Sequence, residues 1–241
     1  MKKIKERITD YWTLRAEGFE AQRLRELESA KREIWLREIK KQLPGTKPMR
    51  VLDIGTGTGF FACLMASESH QVTGIDLTPY MIEHAKHMAS LLKLDVSFYV
   101  MDAEAPDFTA ESFDVLLTRN LTWTLPDVRK AYCEWFKLLK PGGVMINFDA
   151  DYYVELGTEQ HVKLPQTHAH ILLSETMMQE NAAITREIGQ LQHPRPLWDI
   201  QLLMEAGFER VFVDSGVYKR VYAEIDEFYN PAAVFLIAAY K

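Results

Sequence analysis

The chain has 241 residues, 47% of them hydrophobic and 26% charged, and a formal net charge of −6. Its length allows a sizeable core, and its composition excludes a disordered, fibrous or low-complexity protein. The acidic balance gives no electrostatic bias towards nucleic acid or anionic lipid.

Residues 1–43 read as helical, with an apolar face at three- and four-residue steps that includes Leu24, Leu27, Trp35 and Ile39. Its Lys and Arg residues read as a solvated face, nearly balanced by acids. Pro44, Gly45 and Pro48 end the segment. Arg50–Ile54 is a short strand closed by glycines, Phe60–Ser69 a helix and Gln71–Asp76 a strand. Thr78 and Pro79 look like an N-cap and first helical residue for Tyr80–Leu92. Val96–Met101 and Ser112–Thr118 follow as strands, the second continuous in apolar residues as a buried parallel strand is. Asp127 caps a helix over Val128–Leu139, Lys140-Pro141-Gly142-Gly143 stops it, and Val144–Phe148 is the next strand. Such alternation predicts a parallel sheet with helices on both faces. It breaks after Asp149. Residues 152–196 form a long insertion with a helical patch at Ser174–Ile188, of a kind that often acts as a lid. Leu197–Ala206 reads as helix, and Glu209–Ser215 and Ala232–Tyr240 as an antiparallel pair of closing strands.

Cys63 and Cys133 have no metal-ligand or disulfide spacing and read as small hydrophobes on buried helix faces. The longest apolar run, near Val234–Tyr240, is far short of the ~20 residues of a membrane span. A cytoplasmic protein without signal peptide or membrane span is therefore expected.

The sharpest local signal is Val51-Leu52-Asp53-Ile54-Gly55-Thr56-Gly57-Thr58-Gly59. A strand ends, three alternate glycines follow and a helix begins. Glycines let the backbone approach a ligand closely, and the helix start offers unpaired N–H groups. Such loops bind nucleotides at the carboxyl edge of an open sheet. A dinucleotide fingerprint is G-x-G-x-x-G; here the third glycine comes one residue early and Phe60 stands where that pattern needs glycine. Asp76, ending the next strand, suits the two ribose hydroxyls, as an acid there also does in dehydrogenases.

Together these residues resemble the class I S-adenosylmethionine-dependent methyltransferases. The motifs are Asp53–Gly59, Asp76 in V-T-G-I-D-L-T, Asp102-Ala103, F-D-V-L-L-T-R-N and L-K-P-G-G, in order over residues 48–150. Arg119–Asp127 and the N-terminal Tyr11-Trp12-x-x-Arg15-Ala16-x-x-Phe19 look like the type 11 small-molecule group. The resemblance implies a doubly wound, mostly parallel seven-stranded α/β sheet with an antiparallel last strand. It implies one domain: a helical cap (1–47), a cofactor core (48–150), a lid (151–196) and closing elements (197–241). It also implies site roles. Gly55, Gly57 and Gly59 form the loop beside the methionine part of the cofactor, Asp53 supports that loop, and Asp76 holds the ribose. Leu77 and Met81 pack on the adenine, though either also suits plain core. Asp102 accepts from the adenine amine, Ala103 contacts a ring nitrogen, and Asn120 borders the methionine end. Tyr11 or Arg15 meets the cofactor carboxylate, unless that helix merely packs on the sheet.

The implied activity is methyl transfer from S-adenosyl-L-methionine to a small molecule, without metal, nucleic acid or membrane. The alternatives are a nucleic-acid or protein methyltransferase, or a nucleotide-binding protein of NAD type. His161, His168, His170 and His193 fall in the insertion; His161 and His168 are candidate general bases, as is Asp149 after the fifth strand. Trp123, Tyr152, Tyr153, Trp198, Tyr218 and Tyr222 suggest an aromatic acceptor pocket if they converge.

Overall fold

Short runs of β-branched and aliphatic residues between glycines and prolines give seven strands among the described residues, joined mostly by helices. A computed structural model of the chain describes residues 2–155, 163–168, 173–189 and 194–241. Two helices come first, α1 (Lys2–Glu28) and α2 (Lys31–Lys40). They are separate because Ser29 turns the chain: its hydroxyl donates to the Glu26 carbonyl and accepts from the Lys31 amide. The alternating part is β1 (Arg50–Ile54), α3 (Phe60–Ser67), β2 (Gln71–Asp76), α4 (Pro79–Leu91) and β3 (Val96–Val100), then β4 (Phe113–Arg119), α5 (Val128–Leu138) and β5 (Leu139–Asp149). Asp127 caps α5 by accepting from the Lys130 amide at 2.9 Å.

β5 is longer than the sequence suggests. Leu139 already pairs with Phe113, and Lys140–Gly143 lie inside the strand across a register shift, with Gly142 at φ +78°. The Pro-Gly-Gly run is a bulge rather than a loop.

After β5 come α6 (Tyr152–Glu155), α7 (Glu175–Gly189), α8 (Leu197–Ala206), β6 (Arg210–Asp214), α9 (Val217–Val221) and β7 (Phe235–Tyr240). The strand order is β3-β2-β1-β4-β5-β7-β6. All neighbours pair in parallel except β7, which is antiparallel to both β5 and β6. The expected doubly wound sheet with one antiparallel strand is borne out. The order reverses between β1 and β4, which opens a crevice at their carboxyl ends.

One core layer gathers Trp35, Phe61, Ile82, Val115 and Phe148 beneath α2, α3 and α4. The other gathers Leu52, Leu116, Trp135, Leu203 and Ile237 beneath α5 and α8. A small third cluster joins Ile4, Ile8 and Tyr11 of α1 to Ile184 and Ile188 of α7. Two expectations change. Cys63 is buried but Cys133 only half-buried. The basic residues of the first segment are not all solvated: Arg23 and Lys31 are buried against carboxylates. Among the described residues, no helix is long and apolar enough to cross a membrane.

Candidate functional site

The crevice between β1 and β4 opens into a cavity of about 490 Å³, in the range of small-molecule sites. Gly57 has φ +54°, and a side chain there would meet nothing nearer than the Phe19 ring at 3.9 Å. Its conformation requires glycine, and its open side faces the cavity wall. Gly59 serves packing: a Cβ would press on Ala85 and the Phe98 ring at 3.2 and 3.3 Å.

Asp53 holds the loop from beneath. Its Oδ2 accepts from the Thr56 hydroxyl at 2.6 Å and the Ala62 amide at 2.9 Å. Burial pushes its carboxyl up to about 7, against the pull of those hydrogen bonds and with help from Asp76. Asp76 accepts from the Gly57 amide at 3.0 Å and the Thr78 amide at 2.8 Å. Burial also raises its pKa. Each oxygen has lone pairs beyond these bonds, so the carboxylate can accept from a vicinal diol. Thr58 Oγ1, in the same loop, is buried without a partner.

Next to Asp76 the wall continues through Leu77, Met81, Met101, Asp102 and Ala103. Asp102 is more engaged than expected. Its Oδ1 accepts from the Glu104 amide at 2.9 Å and its Oδ2 from Lys5 Nζ at 2.7 Å. The Ala103 carbonyl accepts from Trp135 Nε1 at 2.8 Å.

α1 forms the roof. Tyr11, Trp12, Arg15 and Phe19 all line the cavity. Arg15 donates to the Tyr11 hydroxyl at 2.8 Å and lies over the Tyr11, Trp12 and Phe19 rings at 5.7–5.8 Å. Asn120 follows β4 with φ +54°. Its Oδ1 accepts from the Tyr152 hydroxyl at 3.0 Å, which in turn accepts from Asn230 Nδ2 at 2.7 Å.

His168 lines the cavity, with Nε2 2.7 Å from the Tyr229 carbonyl. His161, His170 and His193 lie outside the described residues, as does part of the 152–196 insertion. Leu164, Asn181 and Thr185 of that insertion do reach the wall. Asp149 does not. It is fully buried, accepts from the Ala150 and Trp123 amides, and faces Arg195 Nη1 at 3.3 Å. Arg195 also grips Asp199 through Nε and Nη2 at 2.9 and 2.7 Å. The network braces the turn at Thr122–Thr124 rather than touching the cavity.

Of the six aromatics named from sequence, Trp123, Tyr152 and Tyr222 line the cavity. Tyr218 stands behind them, bonded to the Tyr229 hydroxyl at 2.7 Å. Tyr153 is exposed, and Trp198 packs on the opposite core layer. Sequence reasoning missed Phe228, Tyr229 and Asn230, which have no motif, and the cations Arg23 and Arg119. The position of Arg119 directly before Asn120 was the available signal.

The residues fit S-adenosylmethionine: a half-buried diol-accepting carboxylate, a glycine cradle and an apolar slot meet in one cavity. A family described as "Methyltransferase domain" matches residues 46–207. The chain is 30% identical over 130 residues to a ubiquinone biosynthesis O-methyltransferase of Coxiella burnetii, covering 52% of this chain and 55% of that protein. It is 41% identical over 100 residues to the aklanonic acid methyltransferase DauC of Streptomyces sp. (strain C5), covering 39% and 44%. The chain thus spans about half the length of these relatives. Its fold matches the Haemonchus contortus phosphoethanolamine N-methyltransferase 2, solved in complex with S-adenosyl-L-methionine. The TM-score there is 0.62 and the identity 22%, over 86% of this chain and 51% of that one. With five ordered motifs, this sheet and this cavity, the chain belongs to the methyltransferase-domain family, among the class I S-adenosylmethionine-dependent methyltransferases.

Proposed function

We propose that the protein transfers a methyl group from S-adenosylmethionine to a small-molecule acceptor. The observation that carries this is the continuity of the cavity. It runs from Asp76 and Asp102 past the glycine loop and Asn120 to an aromatic end at Tyr152, Tyr222 and Tyr229. The names of the curated relatives, an O-methyltransferase and the aklanonic acid methyltransferase, support a small acceptor.

The bound cofactor supplies a methyl group already activated on sulfonium sulfur. The residues then orient and exclude water. Asp76 holds the ribose through its remaining lone pairs. Asp53 keeps the loop in place so that the Gly57 backbone can lie close. Leu77 and Met81 flank the adenine, the Ala103 backbone meets its ring edge, and Asp102 takes its amine by sharing or exchanging Lys5. Arg15, beside Tyr11, meets the carboxylate. Asn120 fixes the methionine end through its bond to Tyr152. α1 and α7 cover both molecules, which holds donor and acceptor at near-attack distance in a dry site. Such chemistry needs a base only if the acceptor must lose a proton, and we assign none. A cytoplasmic location suits this reading.

Calorimetric titration with S-adenosylmethionine, S-adenosylhomocysteine and NADH tests it. Micromolar binding of the first two and none of NADH is expected; failure of both sulfur nucleotides to bind would overturn it.

A further inference from the structure

The inner end of the cavity carries more positive charge than the protein neutralises. Arg119 extends from β4 on the face of Val115 and Leu117, and Arg23 reaches the same place from α1. Both turn onto one carboxylate. Glu26 Oε1 accepts from Arg119 Nη2 at 3.0 Å and Trp35 Nε1 at 2.8 Å; Oε2 accepts from Arg119 Nη1 at 3.3 Å and from Arg23. Glu26 is fully buried, and the Arg119 and Arg23 side chains are only 9% and 10% exposed. Two guanidiniums against one carboxylate leave an excess of one positive charge.

Among the described residues no second carboxylate is hydrogen-bonded to either guanidinium; Asp53 feels the charge of Arg119 but is bonded to Thr56 and Ala62 and, by burial, holds its proton to about 7. Arg119 lies over the Trp35, Phe60 and Phe61 rings at 4.3, 5.0 and 5.7 Å, and Arg23 over Phe19 at 4.4 Å. Aromatic faces soften a cation but do not neutralise it. The cavity's acids are engaged elsewhere: Asp53 and Asp76 on the loop, Asp102 on Lys5. Burial, then repulsion from Arg119, lowers the pKa of Arg23. Arg119 Nε is buried with no hydrogen-bond partner. The Tyr222 hydroxyl accepts from Arg119 at 3.4 Å and so keeps its own proton to donate. An uncompensated buried charge is strongly destabilising, and an orphaned buried N–H adds to that. A cluster of this kind is explained if a ligand brings the missing negative charge.

We propose that the methyl acceptor carries a carboxylate or phosphate group, and that Arg23, Arg119 and Tyr222 hold it. The aromatic wall at Tyr152, Tyr222 and Tyr229 then takes the acceptor's apolar body. The inference rests on the methyl-transfer reading of the cavity. It assigns Arg15 to the cofactor's carboxylate and Arg23 with Arg119 to the acceptor's anion, at neighbouring positions, since Arg15 and Arg23 both lie over the Phe19 ring at 5.8 and 4.4 Å.

The test uses the full chain and R119Q. Removing Arg119 leaves Glu26 paired one-to-one with Arg23 and still bonded to Trp35, so R119Q is expected to keep or raise its melting temperature. A purely structural Arg119 would lower it. S-adenosylhomocysteine should bind both proteins within about threefold. The complexes are then titrated with benzoate, phenyl phosphate and the neutral benzamide. Benzoate or phenyl phosphate should bind the wild type, lose about tenfold or more in R119Q, and outcompete benzamide by a similar margin. Equal binding of benzoate and benzamide, no loss in R119Q, or no binding of any probe would overturn the proposal. So would a tenfold loss of S-adenosylhomocysteine affinity in R119Q, which would give the cluster to the cofactor instead. Failure of the wild type to bind S-adenosylhomocysteine would overturn the underlying methyl-transfer reading, which the other outcomes leave standing.

Discussion

Lys5 Nζ lies 2.7 Å from Asp102 Oδ2, tying the start of α1 to the segment that follows β3, 97 residues further along the chain. Glu104 is a second anchor for the same ammonium. Burial works against the charge on Lys5, but the two carboxylates hold its proton more tightly than usual. A partly exposed ion pair contributes only ~0–1 kcal/mol. Because Lys5→Met also strands Glu104, whose side chain is only 4% exposed, Tm should fall by ~2–4 °C or more, while amide exchange over the first turns of α1 rises. Exchange mass spectrometry reads this directly; unaltered protection there would show that other contacts seat the helix.

Asp76→Ala removes the acceptor for the Gly57 and Thr78 amides along with the groups assigned to the ribose. Hydrogen bonds to a charged partner contribute ~1.5–3 kcal/mol each, so two of them correspond to a loss of about a hundredfold or more in S-adenosylmethionine affinity. Calorimetry on a variant with unchanged circular dichroism decides it. Affinity within a few-fold of wild type would remove Asp76 from the site.

The raised pKa of Asp53 makes a contribution to stability that falls with rising pH. In the unfolded chain the carboxyl ionises near 3.8, while in the folded chain it holds its proton to about 7. Between those values the folded state binds more protons, so the stabilisation is complete below the lower value and lost by the upper. Three pKa units correspond to at most about 4 kcal/mol. Asp53→Asn cannot titrate. The wild type's urea midpoint, measured against that variant's, should drop from pH near 4 to pH near 8; a constant difference would mean that Asp53 is ionised throughout.

Glu26 behaves in the opposite sense. Burial alone would raise its pKa, but Arg119 and Arg23 prevail and hold it down at about 2. Its contribution is present above its ordinary value of 4.5 and lost as pH falls through about 2. Glu26→Gln leaves two buried guanidiniums without a carboxylate, a change of the kind that costs ~3–5 kcal/mol. Chemical denaturation at neutral pH should show that loss, and the variant should be less sensitive than wild type to acid in that window.

Arg195→Met strands two fully buried carboxylates, Asp149 and Asp199, and unpins the turn at Thr122. It should be among the most damaging single changes in the protein, again ~3–5 kcal/mol, although no part of Arg195 lines the cavity. A urea midpoint near that of wild type would sink the claim that this network braces the turn.

The parts of the fold and site that read clearly from sequence are those specified locally. The β1 loop needs glycine at a left-handed position, Asp76 closes a strand one turn before a Pro-started helix, and Asp127 caps α5; each is a short-range rule. The cavity's inner end was illegible because it is made by distant pieces. Arg119, Arg23, Tyr229 and Asn230 come from β4, α1 and the approach to β7, and only the sheet order brings them together. Asp149 misled for the same reason: its place at the carboxyl edge suggested substrate, and its counter-ion lies 46 positions away. β5 was underestimated because Pro-Gly-Gly normally ends an element, while here its backbone is absorbed as a bulge beside Phe113.

The roof of the cavity precedes its floor in the sequence, and several of its fasteners come much later. Glu26 waits for Arg119, Arg7 for Glu180, and the Gln22 amide for the Glu227 carbonyl, 205 residues on. Closing such loops is slow compared with making a helix. During synthesis α1 therefore emerges before β1 and β2, and its partners α3 and α4 follow within the same unit, ahead of those late contacts. The roof's ties from Glu20 to His84 and His87 and from Lys5 to Asp102 become available once β3 and the residues after it are made, whereas those from Gln22 and Arg25 to Glu227 wait for the approach to β7.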